Sequence, residues 1–128
     1  MKKPLPFIFG GDNEMKDMFE EIQYKDKIFR LVFNLNVMER VQEEYGTVEN
    51  LINLISDTDT EINAKALKFM FTEMLNEGID ICNEENGTDE KLLTAKQVGR
   101  IITEIGMTAT AQAVNKTIDA SVKSEEKN

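Results

Sequence analysis

The sequence predicts an α+β chain, mainly α, with an N-terminal β-hairpin followed by four to five helices. Three observations predict it. Two β-prone stretches, Met18–Tyr24 and Lys27–Phe33, are separated only by Lys25-Asp26, a spacing that suits a tight hairpin. The apolar period then changes within Tyr24–Gly46. Ile28, Leu31, Val32 and Phe33 crowd around Arg30, whereas Leu35, Met38, Val41 and Tyr45 recur at helical spacing. Beyond that point apolar residues keep returning every three or four positions, punctuated by Asn, Thr, Asp and Gly where helices start and stop.

Residues 1–16 read as an extended arm: Pro4 and Pro6 favour polyproline or β geometry, Phe7-Ile8-Phe9 is apolar, and Gly10-Gly11 loosens the connection. Such an arm either touches its own core or docks on a neighbouring subunit, because Phe-Ile-Phe is unfavourable in water. Residues 17–123 form one globular domain and 124–128 a frayed, charged tail. A domain of this size buries about two-thirds of the surface its unfolded chain exposes.

Asn36 and Glu39 have the spacing of a capping box, and Gly46 suits the C′ position, so the first helix spans roughly Val37–Tyr45. Thr47 caps a short second helix with Val48, Leu51, Ile52 and Ile55 on one face. A longer helix over Glu61–Asn83 carries a broad apolar surface that includes Met70, Phe71 and Met74, which predicts a central element touched on more than one side. Gly78 inside it is unfavourable by about 1 kcal/mol relative to Ala unless a neighbour packs closely there. Asn83–Glu90 is a turn-rich acidic loop. Thr94 and Gln97 then form a capping box ahead of Val98, Ile101, Ile102 and Ile105. Gly106 ends that helix and Thr108 opens another, striped by Ala111, Val114, Ile118 and Val122.

Composition excludes several function classes. With 15 basic and 24 acidic residues the net charge is −9, which opposes binding to nucleic acid or to anionic membrane surfaces. No stretch is long and apolar enough to span a bilayer, and the start MKKPLPFIFGG lacks the apolar core of a signal peptide, so a cytosolic protein is expected. The lone Cys82, in an apolar stripe with Ile79 and Ile81, reads as a small buried hydrophobe. The absence of histidine removes most general-base and zinc arrangements. Asp57-Thr-Asp59-Thr-Glu61 fails as a calcium loop: Ile62 stands where the turn needs Gly, and Lys68 where the ion needs Glu. Glu43-Glu44 and Glu84-Glu85 are adjacent in sequence and point different ways on a helix, so neither makes an acid/base pair. No enzyme, cofactor or metal site is expected.

Taken in order, the motifs resemble those of the tail assembly chaperones of long-tailed bacteriophages and prophages. The likeness rests on Phe29-Arg-Leu-Val-Phe-Asn-Leu-Asn-Val-Met-Glu39, on Gln42-Glu-Glu-Tyr-Gly46, on a middle helix and on Leu93-Thr-Ala-Lys-Gln-Val-Gly-Arg-Ile-Ile102. It covers about Ile22–Ser121, and the Pro/Phe arm lies outside it. The resemblance implies a non-catalytic chaperone of the host bacterial cytoplasm, absent from the mature virion. Its partners would be the tape measure protein, which it coats, and the tail tube protein, which it recruits. Coating a long partner implies many copies, with or without a homo-oligomer in the free state. Many members also exist in a longer form made by a −1 ribosomal frameshift, and Glu126-Lys127-Asn128 is compatible with the slippery coding GAA AAA AAC.

The expected contacts of such a chaperone are Phe7, Ile8 and Phe9 in the arm and Met70, Phe71 and Met74 on the long helix. The second set has two readings, as core filler or as an adaptable surface for apolar helices, and core filler fits a Met stripe better. Two other classes fit the same composition: a structural tail completion or connector protein, and a small acidic adaptor or anti-repressor that binds a host protein.

Overall fold

Tyr24 and Lys27 close the hairpin between β1 (Phe19–Tyr24) and β2 (Lys27–Val32), antiparallel in a register that runs from Phe19 opposite Val32 to Tyr24 opposite Lys27. Lys25, first in the two-residue turn, has φ +58°, the left-handed conformation that lets so short a loop follow the strand twist. Five helices follow: α1 (Leu35–Tyr45), α2 (Val48–Ser56), α3 (Ala64–Asn86), α4 (Ala95–Ile105) and α5 (Met107–Glu126). This computed structural model describes residues 19–56 and 61–126, with the side chains of 20–56 and 61–122. The chain is therefore α+β and mainly α, with the hairpin first and the helices after it.

Caps decide where the helices begin. The strand-to-helix joint is capped by Asn34, whose extended backbone lets its Oδ1 accept from the Val37 amide at 3.2 Å. This corrects the expected cap at Asn36: α1 starts at Leu35, and Asn36 in its first turn turns its amide elsewhere. Asn34 Nδ2 and Asn36 Nδ2 both donate to Glu77 Oε2 on α3, at 2.8 and 3.0 Å. The Asn-Leu-Asn phrase thus starts a helix and ties it to the central one. Thr47 Oγ1 accepts from the Asn50 amide at the start of α2. Asn63 caps α3, which begins later than expected and runs on to Asn86, where Gly87 closes it in the left-handed conformation. The Thr94/Gln97 capping box opens α4 as expected, with both of its reciprocal bonds formed.

α3 is the hub. It packs against β2 and against each of the other four helices. Met70, Phe71, Met74 and Leu75 are fully buried there, among Leu31, Val37, Val41, Leu51, Ile55, Val98 and Val114. The base of β2 lies against α3 and also meets α5. That is why Leu31, Val32 and Phe33 are all buried and β2 shows no clean alternation. Gly78 marks the closest approach: a Cβ there would overlap the carbonyl oxygen of Arg30 in β2.

Polar pins hold the outer elements. Ser121 Oγ on α5 donates to the Phe33 carbonyl oxygen at 3.0 Å, and Asn115 Nδ2 donates to Ser56 Oγ at the end of α2. Arg40 on α1 pairs with Glu43 at 2.8 Å and Glu73 at 3.6 Å and lies over the Phe69 ring. The hydrogen bond to Glu43 and the charge of Glu73 hold the Arg40 pKa above its ordinary value. No helix among the described residues is long and apolar enough to cross a membrane.

Candidate functional site

The distal end of the hairpin, the loop after α3 and the start of α4 meet in one region, and two asparagines on α3 hold it in place. Asn76 and Asn83 lie two turns apart, on the same face of α3. Asn76 clasps the Leu93 backbone, donating from Nδ2 to its carbonyl oxygen at 2.9 Å and accepting from its amide at 2.8 Å. Asn83 accepts from the Thr88 hydroxyl and the Glu90 amide, and donates to the Glu90 carbonyl oxygen. The loop of residues 87–94 is therefore laid along α3 by side-chain amides. An ion pair from Lys27 to Glu90 at 3.2 Å ties the hairpin to it.

Adjoining hollows open around this junction. One, of about 270 Å³, lies between the hairpin turn and α4, floored by Tyr24, Phe29, Leu93 and Ile101 and rimmed by Lys25, Lys27 and Arg100. A second, of about 350 Å³, follows β2 along α3 past Ile28, Gly78, Ile79 and Cys82. Phe29, Lys27 and Leu93 line both. Ile28 and Leu92 stand 46% and 49% exposed at this end of the molecule, so apolar surface there meets water.

The charge of this region departs from that of the chain. The hollows at this end are lined by Lys25, Lys27, Arg30, Lys91 and Arg100, five cations, against the three acids Asp26, Asp89 and Glu90. In the whole sequence the balance is 15 to 24 the other way. Glu90 is engaged by Lys27, and Arg30 by Glu85 at 3.4 Å. Lys25 lies 5.3 Å over the Tyr24 ring. Lys91 and Arg100 have no ion-pair or hydrogen-bond partner among the described residues. An apolar floor with cations around it can seat apolar side chains and hold anionic ones. No group of three or more His, Cys, Asp or Glu among the described residues gathers as a metal site.

The expected contact residues fall elsewhere. Met70, Phe71 and Met74 are fully buried and touch the other elements of the same chain, so they form the core and present no surface to a partner. Phe7, Ile8 and Phe9, with the rest of the arm, lie outside the described residues. Cys82, expected to be buried, is half-buried and lines the second hollow. Periodicity places Ile101 on the α4 stripe but does not bring it together with Tyr24, Phe29 and Leu93, because the four come from three elements and a loop. No family model, curated protein or solved structure matches the chain.

Proposed function

We propose that this protein is a non-catalytic phage tail assembly chaperone that binds the tape measure protein and helps recruit tail tube subunits. The observation that carries the reading is the phrase Phe29–Glu39 in its setting. It runs from a hairpin strand through the Asn34 cap into α1 and is fastened to the central helix by Glu77. The order of a strand-rich N-terminus, this phrase, a middle helix and a closing segment is the order on which the resemblance rests. The acidic surface supports the role of keeping an aggregation-prone partner in solution, since like charge holds coated particles apart. Apolar, solvent-facing surface around the hairpin tip supports binding without chemistry. In this reading the protein works in the host cytoplasm and leaves before the virion is complete.

Coexpression tests it. The tape measure protein should stay in the soluble fraction when this chain is present and aggregate without it. Equal solubility in both cases removes the chaperone role. Mass spectrometry of purified virions separates the neighbouring class, since finding this chain there in stoichiometric amount would make it a structural tail component.

A further inference from the structure

We propose that the hollow between the hairpin turn and α4 is a docking site for an acidic amphipathic protein segment. Its apolar side chains would rest on Phe29, Leu93 and Ile101, and its carboxylates would meet Lys25 and Arg100 at the rim, with Lys91 in reach on the adjoining hollow. An acidic partner is repelled by most of a chain with net charge −9, so an acidic segment is attracted only where the local balance reverses, as it does here. Lys91 and Arg100 have no ion-pair or hydrogen-bond partner among the described residues, and Lys25 lies over the Tyr24 ring. Neither feature would suffice alone. Unrimmed, the floor would accept any apolar segment, and without a floor the cations would hold only counterions.

Size favours a polypeptide over a small molecule. The hollow between the turn and α4, about 270 Å³ and open to solvent, falls below the roughly 300–1,000 Å³ of small-ligand pockets. It adjoins the second hollow and shares Lys27, Phe29 and Leu93 with it, so one segment can fill the two in sequence with separate side chains. Their walls are fixed in advance: the Asn76 clasp holds Leu93, and the Lys27–Glu90 pair holds the hairpin to the loop. A preformed site loses less freedom on binding. This inference rests on the chemistry of the hollow and holds whichever protein supplies the segment.

The test uses the full chain and a fluorescein-labelled synthetic helix of about four turns, with a leucine stripe flanked by Glu. A second peptide has Gln at every Glu. The Glu peptide should bind more tightly than the Gln peptide at low salt, and the difference should vanish at about 0.5 M salt. Arg100→Glu should weaken the Glu peptide about fivefold or more. Lys116→Glu, the same charge change on α5, should have a smaller effect, because Lys116 lies away from the hollow beside Glu20. Methyl signals of Leu93 and Ile101 should shift on titration. Binding of the Gln peptide as tightly as the Glu peptide overturns the proposal, and so does equal weakening by the two charge reversals. Uptake of dodecanoate with no binding of either peptide would assign the hollow to a small amphiphile and also overturn it.

Discussion

At Gly78 two effects oppose each other. Alanine is the better helix former by about 1 kcal/mol. Its methyl group, however, would enter the space held by the Arg30 carbonyl oxygen, which is backbone and cannot rotate away. Overpacking a tight contact is unfavourable by about 1–3 kcal/mol, and more when backbone must move. Gly78→Ala should therefore lower stability by about 1–2 kcal/mol, seen as a lower urea midpoint with an unchanged slope. A midpoint at or above that of the parent would mean that β2 can lift off α3 without penalty. The residue scale is also where the cap at α1 was misplaced. Asn34 and Asn36 are chemically equivalent in sequence, and both neighbour the helix start. What separates them is that Asn34, two residues past the end of β2, is still extended and so can cap, while Asn36 already lies inside the first turn of α1.

Among the elements, the capping boxes and the long-range clasps differ in how far apart their partners lie. Thr94 and Gln97 are three positions apart, so their reciprocal bonds could be read from the sequence, and they form. Asn76 and Leu93 are seventeen apart, and nothing local announces their pairing. The clasp nevertheless sets the wall of the candidate site. Asn76→Ala removes both bonds and leaves a part-buried amide and carbonyl of Leu93 without partners, at a cost of about 1–3 kcal/mol. Hydrogen exchange at the Leu93 amide should accelerate more than exchange in the middle of α3. Uniform acceleration across the chain would instead mean that the clasp supports the whole fold and not the loop alone. The hairpin was legible as an element because its two-residue turn and β-prone flanks are contiguous. Its lack of alternation became intelligible only with α3 and α5 around its base.

For the molecule as a whole, one helix carries the core. Phe71 is fully buried in its first half, among side chains drawn from the other elements. Phe71→Ala should reduce stability by about 3–5 kcal/mol, a large share of the roughly 5–15 kcal/mol of an ordinary domain. Since α3 touches β2 and every other helix, loss of structure should be a single transition by circular dichroism and by tyrosine fluorescence alike. Separate transitions for hairpin and helices would show that the hub does not couple them.

The sequence by itself determined what depends on neighbours along the chain: the hairpin turn at Lys25-Asp26, the amphipathic helices, the Thr94 cap and the central place of the long helix. These follow from side-chain period and from polar groups within a few residues of the backbone amides they satisfy. Only the tertiary structure decided which apolar faces are covered. Periodicity shows that Met70, Phe71 and Met74 share a side of α3, but burial depends on what packs against that side, and here it is the rest of the chain. For the same physical reason the accessible apolar surface emerged at the hairpin tip, where two asparagines, a loop and an ion pair bring residues distant in sequence into one rimmed hollow.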